Sequence, residues 1–181
     1  MTALRSSRAL RKMVYLTRRY RFCASHRLHN EALSDDANLR IYGKCDSPFG
    51  HGHNYLLEVT VKGPIDQETG MAVDLAALDG IVENEVLERF DHTNLNLDGE
   101  DFRSRVPTTE NVCERIFHLL DGKLAGGGPL RAACLARVRL EETSSNFFEY
   151  GRPEGAQAAL PVRSGTGKSA CPTSDSESQN D

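Results

Sequence analysis

Two histidines lie two residues apart in the segment Cys45-Asp-Ser-Pro-Phe-Gly-His51-Gly-His53, just downstream of a thiol. A β-strand repeats its side-chain direction every two residues, so His51 and His53 would project from one face. Two imidazoles on one face are most of a zinc site. His26 ends an upstream strand pattern in Ser25-His26-Arg27-Leu28 and is the candidate third ligand. Three histidines would leave the fourth tetrahedral position open for water or substrate, which marks a catalytic site rather than a structural one. The bland alternative is a pair of surface or hydrogen-bonded histidines. Cys45 has two readings: a fourth ligand that closes the site, or a nearby thiolate acting as a base.

Asp91-His92 is a weaker signal. A carboxylate beside an imidazole can raise its basicity and orient it for proton transfer. Adjacent residues face each other poorly on a helix, so the pair needs the irregular geometry of a helix end. Glu141-Glu142-Thr143 ends a strand pattern. One carboxylate there could take two parallel hydrogen bonds from a ring edge with adjacent N–H and NH2 donors, such as guanine or a pterin; otherwise it is simply solvated. Cys23, Cys113 and Cys134 fall inside element patterns and read as small core residues.

These residues must be held by elements. Tyr20, Phe22, Ala24 and His26 alternate with Arg19, Arg21, Cys23 and Ser25, which predicts a strand over 15–26. A second strand over 53–62 carries Tyr55, Leu57, Val59 and Val61 on one side. The stretch 30–50 reads as a long polar connection, and long connections inside compact domains are usually functional. Asp74 caps a helix with Leu75, Leu78, Val82, Val86 and Phe90 at helical spacing. Thr108-Thr109-Glu110 opens a second helix with a buried stripe at Val112, Ile116, Leu119 and Leu120. Strands over 134–142 and 146–150 follow. The order β-β-α-α-β-β predicts a two-layer α+β domain with four antiparallel strands. Helices would cover one face. The other needs polar residues or a partner.

The 181 residues, 39% hydrophobic and 27% charged, suit one soluble domain with polar extensions. A net charge of -4 argues against nucleic acid as a partner. No apolar run approaches the roughly 20 residues of a membrane span. Five cysteines without CxxC spacing point to a reducing, cytoplasmic location. Residues 1–13 read as a flexible basic extension, 14–150 as the folded domain and 151–181 as a disordered polar tail containing Cys171.

With these residues in place, the chain resembles the 6-pyruvoyl-tetrahydropterin synthase family, which includes the 6-carboxy-tetrahydropterin synthases. The carrying motifs are Phe22-Cys-Ala-Ser-His-Arg-Leu28, Tyr42-Gly-Lys-Cys45, Pro48-Phe-Gly-His-Gly-His-Asn-Tyr55, Leu87-Glu-Arg-Phe-Asp-His-Thr-Asn-Leu95, Pro107-Thr-Thr-Glu-Asn-Val112 and Glu142-Thr143. The resemblance implies the tunnelling fold (T-fold), with subunits forming β-barrel trimers that stack as a homohexamer with sites at subunit interfaces. It implies that His26, His51 and His53 bind Zn2+ and that Cys45, Asp91 and His92 are the catalytic residues. Glu142 would anchor the pterin, and Thr108 and Thr109 would line its pocket from a neighbouring subunit. The implied substrate is 7,8-dihydroneopterin triphosphate, with Arg19, Arg21, Arg27 and Lys44 as candidate phosphate cations. The implied reaction is elimination of triphosphate to 6-pyruvoyl-tetrahydropterin. A sister reading gives the carboxy product of 7-deazaguanine biosynthesis. A third is a non-catalytic zinc-stabilised module. Cys23, Asp46 and Phe49 depart from residues common in the family.

Overall fold

The computed structural model describes residues 13–124 and 132–152. The expected basic extension, the polar tail with Cys171 and the glycine-rich break after the second helix fall largely outside these residues. Strands β1 (Met13–His26), β2 (His51–Pro64), β4 (Cys134–Thr143) and β5 (Asn146–Gly151) are antiparallel neighbours in the order β1-β2-β4-β5. Helix α1 spans Asp35–Tyr42 and runs into a 3-10 turn at Gly43–Asp46. Helices α2 (Leu75–Val82) and α3 (Glu88–Phe90) flank a π turn at Glu83–Leu87. A two-residue strand, β3 (Thr93–Asn94), and helix α4 (Thr109–Leu124) complete the set. The architecture is α+β, as the patterning predicts.

Three features differ from the sequence expectation. The 30–50 connection holds α1, whose cap Ser34 accepts a hydrogen bond from the Ala37 N–H. Helix α1 is mostly exposed and buries Asn38 rather than an apolar stripe, so helical periodicity could not reveal it. The sheet has a fifth strand, β3, pairing parallel with β1 through Ala24↔Thr93 and Ser25↔Asn94. Two residues are too few for any alternation to show. The segment expected as one helix from Leu75 to Phe90 is helical without a break but contains the π turn, a single-turn irregularity of the kind that adds a residue to a helix.

The core lies between one sheet face and the helices. Tyr55, Leu57, Val59 and Val61 are fully buried on β2, facing Leu78, Val82, Ile116 and Leu120 of α2 and α4. Each such side chain contributes roughly 1.5–3 kcal/mol by leaving water. Truncating one, as in Leu57→Ala, would cost roughly 2–5 kcal/mol. Asp79 of α2 accepts hydrogen bonds from Tyr20 Oη at 2.7 Å and Arg18 Nε at 3.0 Å, tying α2 to β1. The opposite face is polar. Glu58 is 8% exposed there, paired to Arg19 at 2.8 Å and to Arg139 at 3.7 Å, and Thr17 bonds Thr60 at 2.9 Å. Among the described residues no helix is long and apolar enough to cross a membrane.

Candidate metal centre and acid–base pair

The β1–β2 register builds the first cluster. His26 lies directly opposite His51, and Ala24 lies opposite His53. Directly paired residues of an antiparallel ladder share a face, so all three imidazoles extend the core face past the last apolar pair, Phe22↔Tyr55. Ala24 is small, which leaves room for the ring of His53. The ring centroids are 4.7, 4.8 and 5.1 Å apart, and His26 Nε2 lies 3.2 Å from His51 Nε2. One nitrogen from each ring lies within 4.8 Å of the others.

Two backbone features fix this arrangement. His26 Nδ1 is 2.8 Å from the Pro107 carbonyl oxygen. A carbonyl only accepts, so Nδ1 carries the proton and Nε2 keeps its lone pair for the cluster. Gly50 has φ +66, and a Cβ there would sit 2.7 Å from the His26 carbonyl oxygen. Only glycine lets the chain turn so closely past His26 into His51.

The residues present fit a divalent metal. His53 Nε2 and His51 Nδ1 are buried with no hydrogen-bond partner, which is costly unless something else satisfies them. Burial lowers the pKa of His26 and His53, keeping them neutral, the form that ligates. Among the described residues the Cys45 thiol is not part of this group.

Glu142, at the end of β4, stands beside the imidazoles. Its Oε1 lies 3.5 Å from His53 Nε2 and 3.8 Å from His26 Nε2. Thr109 donates to Oε1 at 2.6 Å and Asn146 to Oε2 at 3.2 Å; Thr109 thus meets Glu142 within the same chain, where the resemblance implies a neighbouring subunit. Burial alone would raise this carboxyl, but the hydrogen bonds from Thr109 and Asn146 bring it below its ordinary range. An ionised, half-buried carboxylate results. Thr108 instead caps α4, accepting from the Asn111 N–H at 3.4 Å.

Asp91 and His92 form a second group. His92 has φ +58, a left-handed conformation, and its Nδ1 reaches Asp91 Oδ2 at 2.9 Å. This is the irregular helix-end geometry that adjacent residues need. The Cys23 N–H donates to Asp91 Oδ1 at 2.8 Å, the main reason the carboxyl is held below its usual range. Cys23 is therefore not a core residue like the buried Cys113; it is half-buried against Asp91 and His92. Its place among Arg19, Arg21 and Ser25 in the outward register of β1 was the available signal.

Cys45 sits half-buried on the 3-10 turn, where its carbonyl accepts from the Leu28 N–H at 2.9 Å. Next to it, Asp46 takes His29 Nδ1 at 2.7 Å and Arg27 at 2.9 Å. Neither cluster of side chains that could hold a metal includes the Cys45 thiol. Of the candidate phosphate cations, Arg19 is engaged by Glu58 and Arg27 by Asp46, while Arg21 and Lys44 are exposed. The Pro107 carbonyl and Asn146 join the site through contacts that no side-chain pattern in the sequence records.

Residues 15–153 match the family described as 6-pyruvoyl tetrahydropterin synthase. The chain belongs to that family. The 6-pyruvoyl tetrahydrobiopterin synthase of Drosophila melanogaster is 40% identical over 141 residues, covering 78% of this chain and 81% of that one. The Homo sapiens protein of the same name is 43% identical over 135 residues, covering 75% and 89%. The solved structure of Caenorhabditis elegans 6-pyruvoyl tetrahydropterin synthase superposes with a TM-score of 0.71 at 39% identity, covering 78% of this chain and 97% of that one. The pterin synthase fold expected from the motifs is thus the one observed.

Proposed function

We propose that this pterin synthase family member is a zinc-dependent lyase. It would eliminate triphosphate from 7,8-dihydroneopterin triphosphate to give 6-pyruvoyl-tetrahydropterin, in tetrahydrobiopterin biosynthesis. The observation that carries the reading is the open cluster of His26, His51 and His53 beside the ionised carboxylate of Glu142. Zn2+ held by these three histidines would act as a Lewis acid toward the substrate side chain.

The chain's own residues take the remaining roles. Glu142 receives the N–H and NH2 edge of the pterin ring as two parallel hydrogen bonds. Thr109 orients that carboxylate by occupying one lone pair, and Thr108 lines the pocket nearby. Cys45, as thiolate, accepts a proton from the substrate side chain. His92, oriented by Asp91, exchanges protons with the intermediate or with the thiol. Cys45 is not in the group that Asp91 and His92 form within one chain, which accords with assembly of the proton carriers between subunits of a homohexamer. A cytoplasmic location accords with the thiol use.

The names of the Drosophila and human relatives favour the pyruvoyl product; the carboxy name is carried by relatives that match less of this chain or at lower identity. The non-catalytic module is disfavoured because Cys45 does not complete the histidine cluster. The test is to supply zinc-loaded protein with 7,8-dihydroneopterin triphosphate and identify products by mass spectrometry. Triphosphate with a pyruvoyl side chain supports the proposal. Acetaldehyde with a carboxyl product moves it to the sister activity, and unconsumed substrate overturns both.

A further inference from the structure

A sulfur, an oxygen and a nitrogen converge outside the histidine cluster. The Cys23 thiol, an Asp91 carboxylate oxygen and a His92 ring nitrogen lie within 4.8 Å of one another. We propose that Cys23, Asp91 and His92 form a second, inhibitory site for a borderline-soft divalent ion such as Zn2+. The inhibitory half rests on the reading of Asp91 and His92 as proton carriers; the binding half stands on the geometry.

The donor set selects the ion. Thiolate, imidazole and carboxylate together suit zinc and its congeners. Calcium and magnesium take oxygen ligands and would be poorly served. The three donors are also held before any ion arrives. The Cys23 backbone binds both partners: its N–H donates to Asp91 Oδ1 at 2.8 Å, and its carbonyl accepts the His92 N–H at 2.6 Å. Pairing of β3 with β1 begins at the very next residues, Ala24 and Thr93. Little ordering is left to oppose binding.

The site can be reached. The His92 side chain is 80% exposed. An open cleft of about 510 Å³ runs from Cys23 and His92 past Asn54 to His53. It has room for a water to complete a fourth position.

Binding would have a definite chemical consequence. One metal–sulfur bond forms as the thiol proton passes to water, and His92 must be neutral to donate its lone pair. The metal then takes one ring nitrogen of His92 and one oxygen of Asp91, the two side chains that otherwise meet at 2.9 Å. A ring bound to a cation cannot also carry a proton on that nitrogen, so the pair leaves acid–base duty while the first site stays intact.

The experiment begins with full-length protein carrying one equivalent of Zn2+, titrated with Cd2+ and followed by thiolate-to-metal charge-transfer absorption. The expected result is a band saturating at one added ion per chain. It is lost in Cys23→Ser, lost or much weakened in His92→Ala, and kept in Cys45→Ser. Metal content after gel filtration should fall from two ions to one in Cys23→Ser, with an unchanged circular dichroism spectrum. Excess Zn2+ should slow turnover of the parent protein and not of Cys23→Ser. A band that persists in both Cys23→Ser and His92→Ala overturns the site. If the band behaves as expected but excess Zn2+ leaves turnover unchanged, the inhibitory half fails alone. A protein that never turns over this substrate tells against the proposed reaction, and the absorption titration still decides the site.

Discussion

His26 Nδ1–H donates a hydrogen bond to the carbonyl of Pro107, 81 positions away in sequence, at 2.8 Å. The strand that carries the candidate metal-binding face is thereby tied to the segment just ahead of α4. This bond frees Nε2 toward His51 and His53, and it brings Thr109 and the end of β4 with Glu142 to the same place.

Removing metal should stop turnover without unfolding the chain. The core residues of β2 and α4 are buried independently of the histidines. An ion that binds only the native state adds roughly 3–4 kcal/mol at 100 to 1,000 times its Kd, so the chelated protein should melt cooperatively at lower temperature. Calorimetry with and without chelator checks this, and readdition of Zn2+ should restore both the melting point and turnover. His26→Ala should resemble the chelated state and fail to recover.

Gly50→Ala should damage the same site from the backbone. A left-handed alanine costs roughly 1–2 kcal/mol by itself. The added Cβ would also press on the His26 carbonyl from 2.7 Å. Zinc affinity should fall together with stability, measured by competition with a chelating dye and by denaturant melts. Unchanged zinc affinity would show that this close approach does not govern the cluster.

Cys45→Ala should keep both fold and zinc, because the thiol is outside the histidine cluster. Turnover should fall by about 10²–10⁴, the usual size of a general acid–base contribution. Asp91→Asn should lower kcat with KM little changed, since Asp91 acts through His92. Mixing inactive Cys45→Ala and His92→Ala proteins under subunit exchange should regain activity if the two residues serve one site from different chains. No recovery would count against shared sites.

Asp101 offers a pH-dependent test away from the chemistry. Its side chain is 5% exposed and joins Arg89 at 3.0 Å to Arg115 at 2.7 Å, linking α3 to α4. Burial pushes this carboxyl up, but the two guanidinium groups override that and hold it below the ordinary range. A lowered carboxyl stabilises the fold above its unfolded pKa of about 3.9 and loses that contribution as pH falls through the lower folded value. Asp101→Asn should cost about 1–2 kcal/mol at neutral pH, discounted because both arginines are partly exposed. The variant's deficit should shrink in acid. Urea melts at neutral pH and near pH 3 check both the size and the sign.

The strands were legible because alternation over many residues is a strong signal. Phe22, Ala24 and His26 fall on the buried face, and Tyr55 to Val61 on the other strand, as their spacing predicts. The His51–His53 pair follows from the same period of two. What stayed hidden depended on partners distant in sequence or on very short elements. Helix α1 has no apolar stripe, and β3 is two residues long. Pro107 takes part through a backbone oxygen, which no side-chain pattern records. Cys23 reads as core because thiols are usually buried; its outward register sets it apart, but its partners Asp91 and His92 lie 68 and 69 positions away.

The hairpin register has a last consequence. His26 closes one strand and His51 opens the next, so the whole excursion over 27–50 departs from and returns to the ligand set. An ion seated there would act as a clasp across the neck of that loop. Changes of length or composition near its tip, around α1, would then leave the metal undisturbed, while the neck tolerates almost nothing. Variation among pterin synthases should therefore accumulate outward from the clasp.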